Sequence, residues 1–347
     1  TGAVMLDHAR ELTRLAERLG MEDDAGRMPW NRTDGWRDVV QKIVDTARSN
    51  GVAADDLAVS ADHSVRSFAA LLPEPAATAE KLDDGLARAI EACLASLTSE
   101  VRAGLKKGTL DADVPAVERA AARLRSGQRL AWPEWARLAK LGKTQADAWR
   151  FATVVDAASR HLQHPGLAAD VGAFTRGLFA CAADCMRAYA AYKARRGLVD
   201  FVDQEALALR VLRDPANAER LRETIGAVYV DEFQDSSPIQ VALFTELARV
   251  ARRSAWVGDP KQSIYAFRGA APELTTLAAR RIAAASGGGI DYLDVSYRAR
   301  PSLVRFVDAA FGPPFAQAGF SRNEVAFSGA NRSERDGAPP AFARWDV

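Results

Sequence analysis

Val228-Tyr229-Val230-Asp231-Glu232-Phe233-Gln234-Asp235 is an apolar, β-branched run that stops on a pair of carboxylates. The pattern predicts a buried strand over residues 227–230, with the acidic pair delivered at its carboxyl end. In open α/β sheets, ligands sit outside the carboxyl ends of the strands. Adjacent Asp and Glu in that place suit phosphate chemistry. The first carboxylate, Asp231, can hold Mg²⁺, usually through water because that ion gives up its hydration shell reluctantly. The second, Glu232, can take a proton from an attacking water. Acidic pairs are common on loops, so the strand in front and Gln234-Asp235 behind are what make this pair specific.

Working outward, the chain beyond this stretch alternates strand and helix. Residues 238–251 carry helical spacing, and Ser254-Ala255-Trp256-Val257 is a second strand-like run. Residues 272–285 are helical again, and Tyr292-Leu293-Asp294-Val295 is a third apolar run. The first two runs have the pattern of buried parallel strands, and the order is that of α/β architecture. Beyond Phe311 the sequence is rich in Gly, Pro, Ser and Arg and reads as loop. Upstream of Gly197 the character differs. Helices are expected over 6–19, 81–96, 114–124, 132–141, 145–162 and 171–193, with a cap at Gly20. Breaks are expected at 26–33, at Pro73-Glu74-Pro75, at 104–115 and at Gly166. The fold class is therefore α/β with a large all-α domain, and no repeat of fixed period is visible.

A helix away from the acidic pair stands Val257-Gly258-Asp259-Pro260-Lys261-Gln262-Ser263-Ile264-Tyr265-Ala266-Phe267-Arg268-Gly269-Ala270. Taken in order, the two blocks resemble the superfamily-one DNA helicases of the UvrD/Rep/RecB/AddA group, whose second motif reads DExQD and whose third reads GDxxQSIYxxRGA. Gly197-Leu198-Val199-Asp200-Phe201-Val202-Asp203 is similar to the family's G-x-x-DF-x-D stretch, although Gln204-Glu205 replaces the usual Asp-Leu. Asp294-Val295-Ser296-Tyr297-Arg298-Ala299-Arg300-Pro301 resembles the fourth motif, (N/S)YRS-x-P, with Ala299 where Ser is usual. That change puts a helix-capping hydroxyl in doubt but leaves the arginine. The dense resemblance covers 197–311, and the helical half matches by position and type. The long Ala-rich helical part and the tail lean toward the RecB/AddA helicase–nuclease branch.

The resemblance implies a partial RecA-like P-loop NTPase motor domain plus a helical accessory domain. Residues 1–196 would be the all-helical accessory domain of the first motor domain. Residues 197–288 would be the C-terminal part of that motor domain, and 289–347 the start of the second with a tail. ATP and Mg²⁺ are the implied cofactors, with Asp231 on the metal and Glu232 activating water. Gln262 would touch the γ-phosphate and report its loss, and Arg298 would reach the same phosphate as an arginine finger. Tyr297 would stack on adenine. Tyr265 and Phe267 would lie toward single-stranded DNA as base platforms, and Arg268 would contact the strand backbone or brace the loop. Gln204 and Asp235 are expected to be structural hydrogen-bonding residues. The implied activity is ATP-dependent helicase or translocase action on single- or double-stranded DNA in recombination and double-strand break repair, with a possible helicase–nuclease partner subunit.

Other features are read as decoys or as background. Gly142-Lys143-Thr144 suggests a phosphate loop, but Arg137 stands where G-x-x-x-x-G-K-(S/T) needs its first glycine, on a run that reads as helix. In the family that loop precedes the helical domain, so its place is expected upstream of Thr1, and this chain alone is expected to hydrolyse ATP poorly or not at all. The alternative reading is a non-catalytic DNA-binding or scaffold module that retains helicase motifs. His161, His164, Cys181 and Cys185 could be imagined around zinc, but two cysteines on one amphipathic helix face read better as buried thiols. Three cysteines fall short of an iron–sulfur cluster and cannot all pair, which suits a reducing cytoplasm. The net charge of +1 announces no polyanion partner, and the Arg-rich clusters read as solvated faces. No apolar run approaches the ~18 residues of a membrane span, and the first residues lack a secretion signal.

Overall fold

The structure, a computed structural model, describes residues 2–21, 35–75, 77–142, 146–263 and 272–331. It is mostly helical, with two small parallel sheets. It divides into two compact units, Thr1–Arg48 with Val52–Val199, and Ser49–Gly51 with Asp200–Val347.

The first unit contains α1 (Gly2–Leu19), α2 (Trp36–Ser49), α3 (Leu57–Ala69), α4 (Ala79–Ser96), α5 (Ser99–Ala103), α6 (Val114–Arg125), α7 (Trp132–Leu138), α8 (Ala152–Ser159) and α9 (Pro165–Arg196). Its apolar stripes close two clusters. Leu12 and Leu15 of α1, Val40 and Val44 of α2 and Phe174, Leu178, Cys181 and Cys185 of α9 form one. Leu86 and Ile90 of α4, Val117 of α6, Trp135 of α7 and Val154 of α8 form the other, which Leu167 of α9 joins. At 32 residues, α9 is about 48 Å long and reaches both. Its end is a Schellman cap: Gly197 takes φ 62°, and Leu198 N donates to Lys193 O at 3.0 Å.

Several boundaries in this unit depart from the expected ones. The break expected at Gly166 falls two residues earlier, at His164, because Pro165 opens α9 and the Gly166 N–H is accepted by His164 Nδ1 at 2.9 Å. Between 104 and 115 the break is confined to residues 104–106, with Gly104 the cap of α5. A π-helical turn, Thr109–Asp113, then leads straight into α6 with Pro115 in its first turn, where a proline needs no N–H donor. Two carboxylates hold that turn. Asp147 accepts from Lys106 N at 3.0 Å and Thr109 Oγ1 at 2.8 Å, and Asp113 accepts from Gly142 N at 3.2 Å. The Gly142 amide thus serves the fold, while Lys143 and Thr144 lie outside the described residues, as does the break expected at 26–33. Residues 145–162 do not make one helix. They run as the 3₁₀ turn Ala148–Phe151, then α8, then the 3₁₀ turn Arg160–Gln163, because apolar spacing of three is shared by both helix types.

The second unit contains α10 (Phe201–Arg213), α11 (Pro215–Thr224), β1 (Ala227–Val230), α12 (Pro238–Val250), β2 (Arg253–Trp256), α13 (Pro272–Ser286), β3 (Val295–Ser296), α14 (Pro301–Gln317), α15 (Arg322–Val325) and β4 (Gly329–Ala330). β1 pairs in parallel with β2, and β3 in parallel with β4. The expected burial of the first two strands is not met on both faces. Val228 and Val230 turn toward Val241 and Phe244 of α12, whereas Tyr229 is 81% exposed. The third run forms only Val295–Ser296, with Leu293 82% exposed, since its sole strand partner among the described residues is the two-residue β4. Past Phe311 the expected loop is helix as far as Gln317. Pro313 and Pro314 lie inside that helix, and neither has an N–H to donate to the residue four positions back. No described helix is long and apolar enough to cross a membrane.

Two measurements check the helical unit. Burial pushes the Cys181 thiol up to about 12, with Cys185 adding to the shift, and burial also raises Cys93 and Cys185. At pH ~8 an aromatic disulfide reagent should therefore label the three thiols only as fast as the chain opens; labelling of native protein within seconds would contradict these cores. Hydrogen bonds from Lys106 N and the Thr109 hydroxyl hold the Asp147 carboxyl below its ordinary value. That stabilisation is complete above the unfolded pKa of ~3.9 and is lost as pH falls through the lowered folded value. Asp147→Asn should lower the melting temperature at neutral pH, and its deficit should shrink as acid protonates the Asp147 carboxyl of the wild type.

Candidate active site

β1 and β2 pair from Ala227↔Arg253 to Val230↔Trp256. Two further hydrogen bonds extend the pairing past the strand ends: Val257 N donates to Val230 O at 2.8 Å, and Phe233 N donates to Val257 O at 2.9 Å. Asp231 and Glu232 lie between these bonds, and both side chains are exposed. Phe233 is buried, with its ring edge-on to Trp256 at 4.7 Å between centroids, and Trp256 meets Phe244 of α12 at 6.4 Å. An apolar anchor thus sits directly after the acidic pair and sets where the chain turns.

The turn carries strain. Glu232 has φ 48° and is the only non-glycine with positive φ among the described residues. For a residue with a Cβ that conformation costs of order 1–3 kcal/mol and persists only where the surroundings impose it. Here they do. Glu232 N donates to Asp231 Oδ1 at 2.9 Å, and Asp235 N donates to Glu232 O at 2.9 Å. Gln234, 1% exposed, donates from Nε2 to Glu232 Oε2 at 2.7 Å, and its Oε1 accepts from Asp259 N at 2.8 Å. Gly258 is obligatory for that contact, because a Cβ there would lie 2.8 Å from Gln234 Oε1.

The loop after β2 is organised by Asp259. Its Oδ1 accepts from Lys261 N at 3.1 Å and pairs with Lys261 Nζ at 3.2 Å. Its Oδ2 accepts from Gln262 Nε2 at 2.9 Å, and Gln262 N donates to Asp259 O at 2.9 Å. Ser263 Oγ donates to Gln234 O at 3.3 Å. The 3₁₀ turn Pro260–Gln262 is therefore fastened to the β1 end through Gln234.

Of the residues singled out from sequence, Asp231, Glu232 and Gln262 come together at adjacent strand ends. Tyr297 and Arg298 follow β3, both exposed, and no hydrogen bond or ion pair joins them to the first three among the described residues. Tyr265, Phe267 and Arg268 lie outside the described residues. Ser296 is buried, and its Oγ accepts from Ala299 N at 3.1 Å, while α14 opens on Pro301 without a side-chain cap at Arg300. Sequence reasoning missed Gln234, Gly258 and Asp259 as site builders, although all three stand inside the quoted blocks. Asp235 Oδ1 is buried and has no hydrogen-bond partner among the described residues. Asp200 and Asp203 are a capping box on α10, with Asp203 N donating to Asp200 Oδ1 at 3.0 Å. Gln240 Nε2 of α12 donates to Glu205 Oε1 at 2.7 Å, so the departure at 204–205 supplies a helix–helix link.

The donor set suits a hard divalent cation. Asp231 is an exposed carboxylate with one oxygen held by Glu232 N, and Mg²⁺ is normally bound by one or two carboxylates together with waters and phosphate oxygens. Three or more metal-ligating side chains do not gather anywhere among the described residues. His164 has both ring nitrogens committed, to Gly166 N at 2.9 Å and Asp83 Oδ1 at 3.3 Å.

Comparison with known proteins agrees with this geometry. Residues 135–282 match the UvrD/REP helicase N-terminal domain family. The match begins inside the helical unit and takes in both strand ends. Among relatives, an ATP-dependent helicase/nuclease subunit from Desulforudis audaxviator is 36% identical over 159 residues, 41% of this chain and 13% of that protein. The protein of the same name from Moorella thermoacetica is 37% identical over 139 residues, 36% of this chain and 10% of that protein. That of Alkaliphilus oremlandii is 43% identical over 86 residues, 25% of this chain and 7% of that protein. The matched stretches thus span about a tenth of these relatives' length. The similarity to UvrD/Rep-type helicases carried by the two motif blocks is met by the family model and by the names of these relatives.

Phe233→Ala tests the anchor. Emptying a fully packed Phe site costs roughly 3–5 kcal/mol. In denaturant unfolding followed by tryptophan fluorescence, the second unit should lose about that much. A change under ~1 kcal/mol would show that the Phe233–Trp256 contact does not set the turn.

Proposed function

We propose that this chain is an internal part of a UvrD-like ATP-dependent DNA helicase of the helicase–nuclease kind, carrying the metal-binding and water-activating half of its ATP site. The carrying observation is the exposed Asp231–Glu232 pair, delivered at a parallel strand end and tied through Gln234 to the loop that bears Gln262. The match over 135–282 and the relatives' names support the reading. The relatives' names couple a helicase to a nuclease, which favours a role in DNA recombination and break repair and a partner subunit. The RecA-like description of the second unit belongs to the same reading: β1 and β2 with α12 between them are one parallel strand–helix–strand step.

The resemblance to UvrD/Rep-type helicases implies each residue's work, and the chemistry of each side chain suits it. Asp231 would hold Mg²⁺, which would supply charge neutralisation to the phosphates of ATP. Glu232 accepts the proton of the water that attacks the γ-phosphate. Gln262 hydrogen-bonds that phosphate in exchange for its bond to Asp259, so loss of the phosphate returns the amide to Asp259 and shifts the loop. Tyr297 stacks on adenine, and Arg298 reaches the γ-phosphate and offsets developing charge. Tyr265 and Phe267 offer flat faces to bases of single-stranded DNA, and Arg268 contacts its backbone. The phosphate-binding loop that completes such a site is not among the motifs of this chain, which alone is expected to turn over ATP poorly.

The test is Glu232→Gln in the full-length protein. Removal of a general base lowers turnover roughly 10²–10⁴-fold. DNA-stimulated ATPase should fall by that much, while the Kd of a non-hydrolysable ATP analogue stays within about twofold of wild type. Near-normal ATPase in the variant would sink the role of Glu232. A wild-type protein that binds DNA without any ATPase would favour a non-catalytic binding module instead.

A further inference from the structure

We infer that Gln234 is a positioning residue: its buried amide holds the Glu232 carboxylate in its proton-accepting orientation by bracing it against the backbone of the loop after β2. The inference rests on the reading of Glu232 as the water-activating base and adds a residue to that site.

The orientation of the amide follows from its partners. The backbone N–H of Asp259 can only donate, so the atom 2.8 Å from it must be the carbonyl oxygen Oε1. Nε2 is then left facing Glu232 Oε2 at 2.7 Å, a charge-assisted bond to a group that accepts only. Flipping the amide would set N–H against N–H at one end and oxygen against carboxylate oxygen at the other. The side chain is 1% exposed, and the main-chain carbonyl of Gln234 accepts from Ser263 Oγ at 3.3 Å, which fixes the backbone that carries it. The space beside Oε1 is closed to a larger residue at 258, where a Cβ would lie 2.8 Å from that oxygen. The amide therefore cannot swing away, and neither can the carboxylate oxygen that it grips.

A purely structural amide would need only the first of these bonds. The Asp259 N–H is satisfied by Oε1 alone, and Glu232 is exposed, so water could solvate it fully. The second bond instead removes rotational freedom from the one carboxylate whose direction matters for proton transfer. It acts at a residue whose backbone is already fixed at φ 48°. Main chain and side chain of Glu232 are thus constrained separately, the first by the turn and the second by Gln234.

The test is Gln234→Glu in the full-length protein, with Glu232→Gln as the reference variant. The new carboxylate keeps an acceptor for Asp259 N but loses the donor to Glu232 and sets a like charge beside it. Misdirecting a catalytic group by about 1 Å costs on the order of 10²-fold in rate. The ATPase kcat should fall by that order, with the KM for ATP and the Kd of a non-hydrolysable analogue within about twofold of wild type. A kcat within about twofold of wild type overturns the proposal. So does a parallel loss of nucleotide affinity, which marks a merely structural role. Should Gln234→Glu fail to fold, Gly258→Ala displaces the same oxygen and should reproduce the drop in kcat with KM unchanged; unchanged kcat there overturns the proposal equally. If Glu232→Gln keeps its ATPase, the reading of Glu232 is what has failed.

Discussion

The pairing of β1 with β2 does not stop where the strands do, and the candidate site depends on that continuation. The bonds Val257 N to Val230 O and Phe233 N to Val257 O fix the chain on both sides of the acidic pair. Between them the backbone must turn within two residues, and Glu232 takes up the turn in the left-handed region. Phe233 then drops into the small apolar cluster with Val230 and Val241. Burial drives the aromatic inward, the ladder holds the register, and the carboxylates are left outside because nothing apolar can use that space. Exposure of Asp231 and Glu232 is thus a product of what is buried beside them.

This arrangement was legible in sequence to an uneven degree. β1 occupies the predicted residues, β2 is shifted by one, and α12 and α13 fall within a residue of expectation at each end. These elements carry both periodicity and flanking turn residues. The pairing of Asp231, Glu232 and Gln262 followed from two strands ending side by side. The amide bridge of Gln234 could not be read, because a buried Gln beside two carboxylates has the same local pattern whether it faces the core, the solvent or a neighbouring loop. The helical unit was harder. Residues 145–162 have one apolar spacing but three helical segments, and Gly166 and Pro115 looked like interruptions until His164 and the π turn showed how their backbone is satisfied. Side-chain bonds decided those boundaries, a local one from His164 at Gly166 and a distant one from Asp147 at Thr109. The tail past Phe311 failed because composition suggested loop, whereas α14 continues to Gln317 with Pro313 and Pro314 inside it.

The helical unit shows how an Ala-rich sequence holds a defined shape. Large residues are concentrated at a few places, such as Trp132 and Trp135 edge-on to His164 at 5.0 and 5.4 Å. Polar links pin those places: Asp170 takes hydrogen bonds from Arg18 Nε and, at 2.9 Å, from Trp132 Nε1. Buried groups of this kind stabilise only while every partner is present, which makes them markers of a specific packing. The tryptophan cluster and the acidic pair lie in different units, each with its own core.

The most direct measurement is a structure of the full-length protein with Mg²⁺, ADP, a fluoroaluminate mimic of the transferring phosphate and single-stranded DNA. The account predicts the cation within reach of Asp231 through a bound water and the in-line water against the Glu232 carboxylate. It also predicts that the Gln234 amide still bridges Glu232 and the Asp259 backbone. A nucleotide bound away from the ends of β1 and β2, or an in-line water held by some other group, would contradict it.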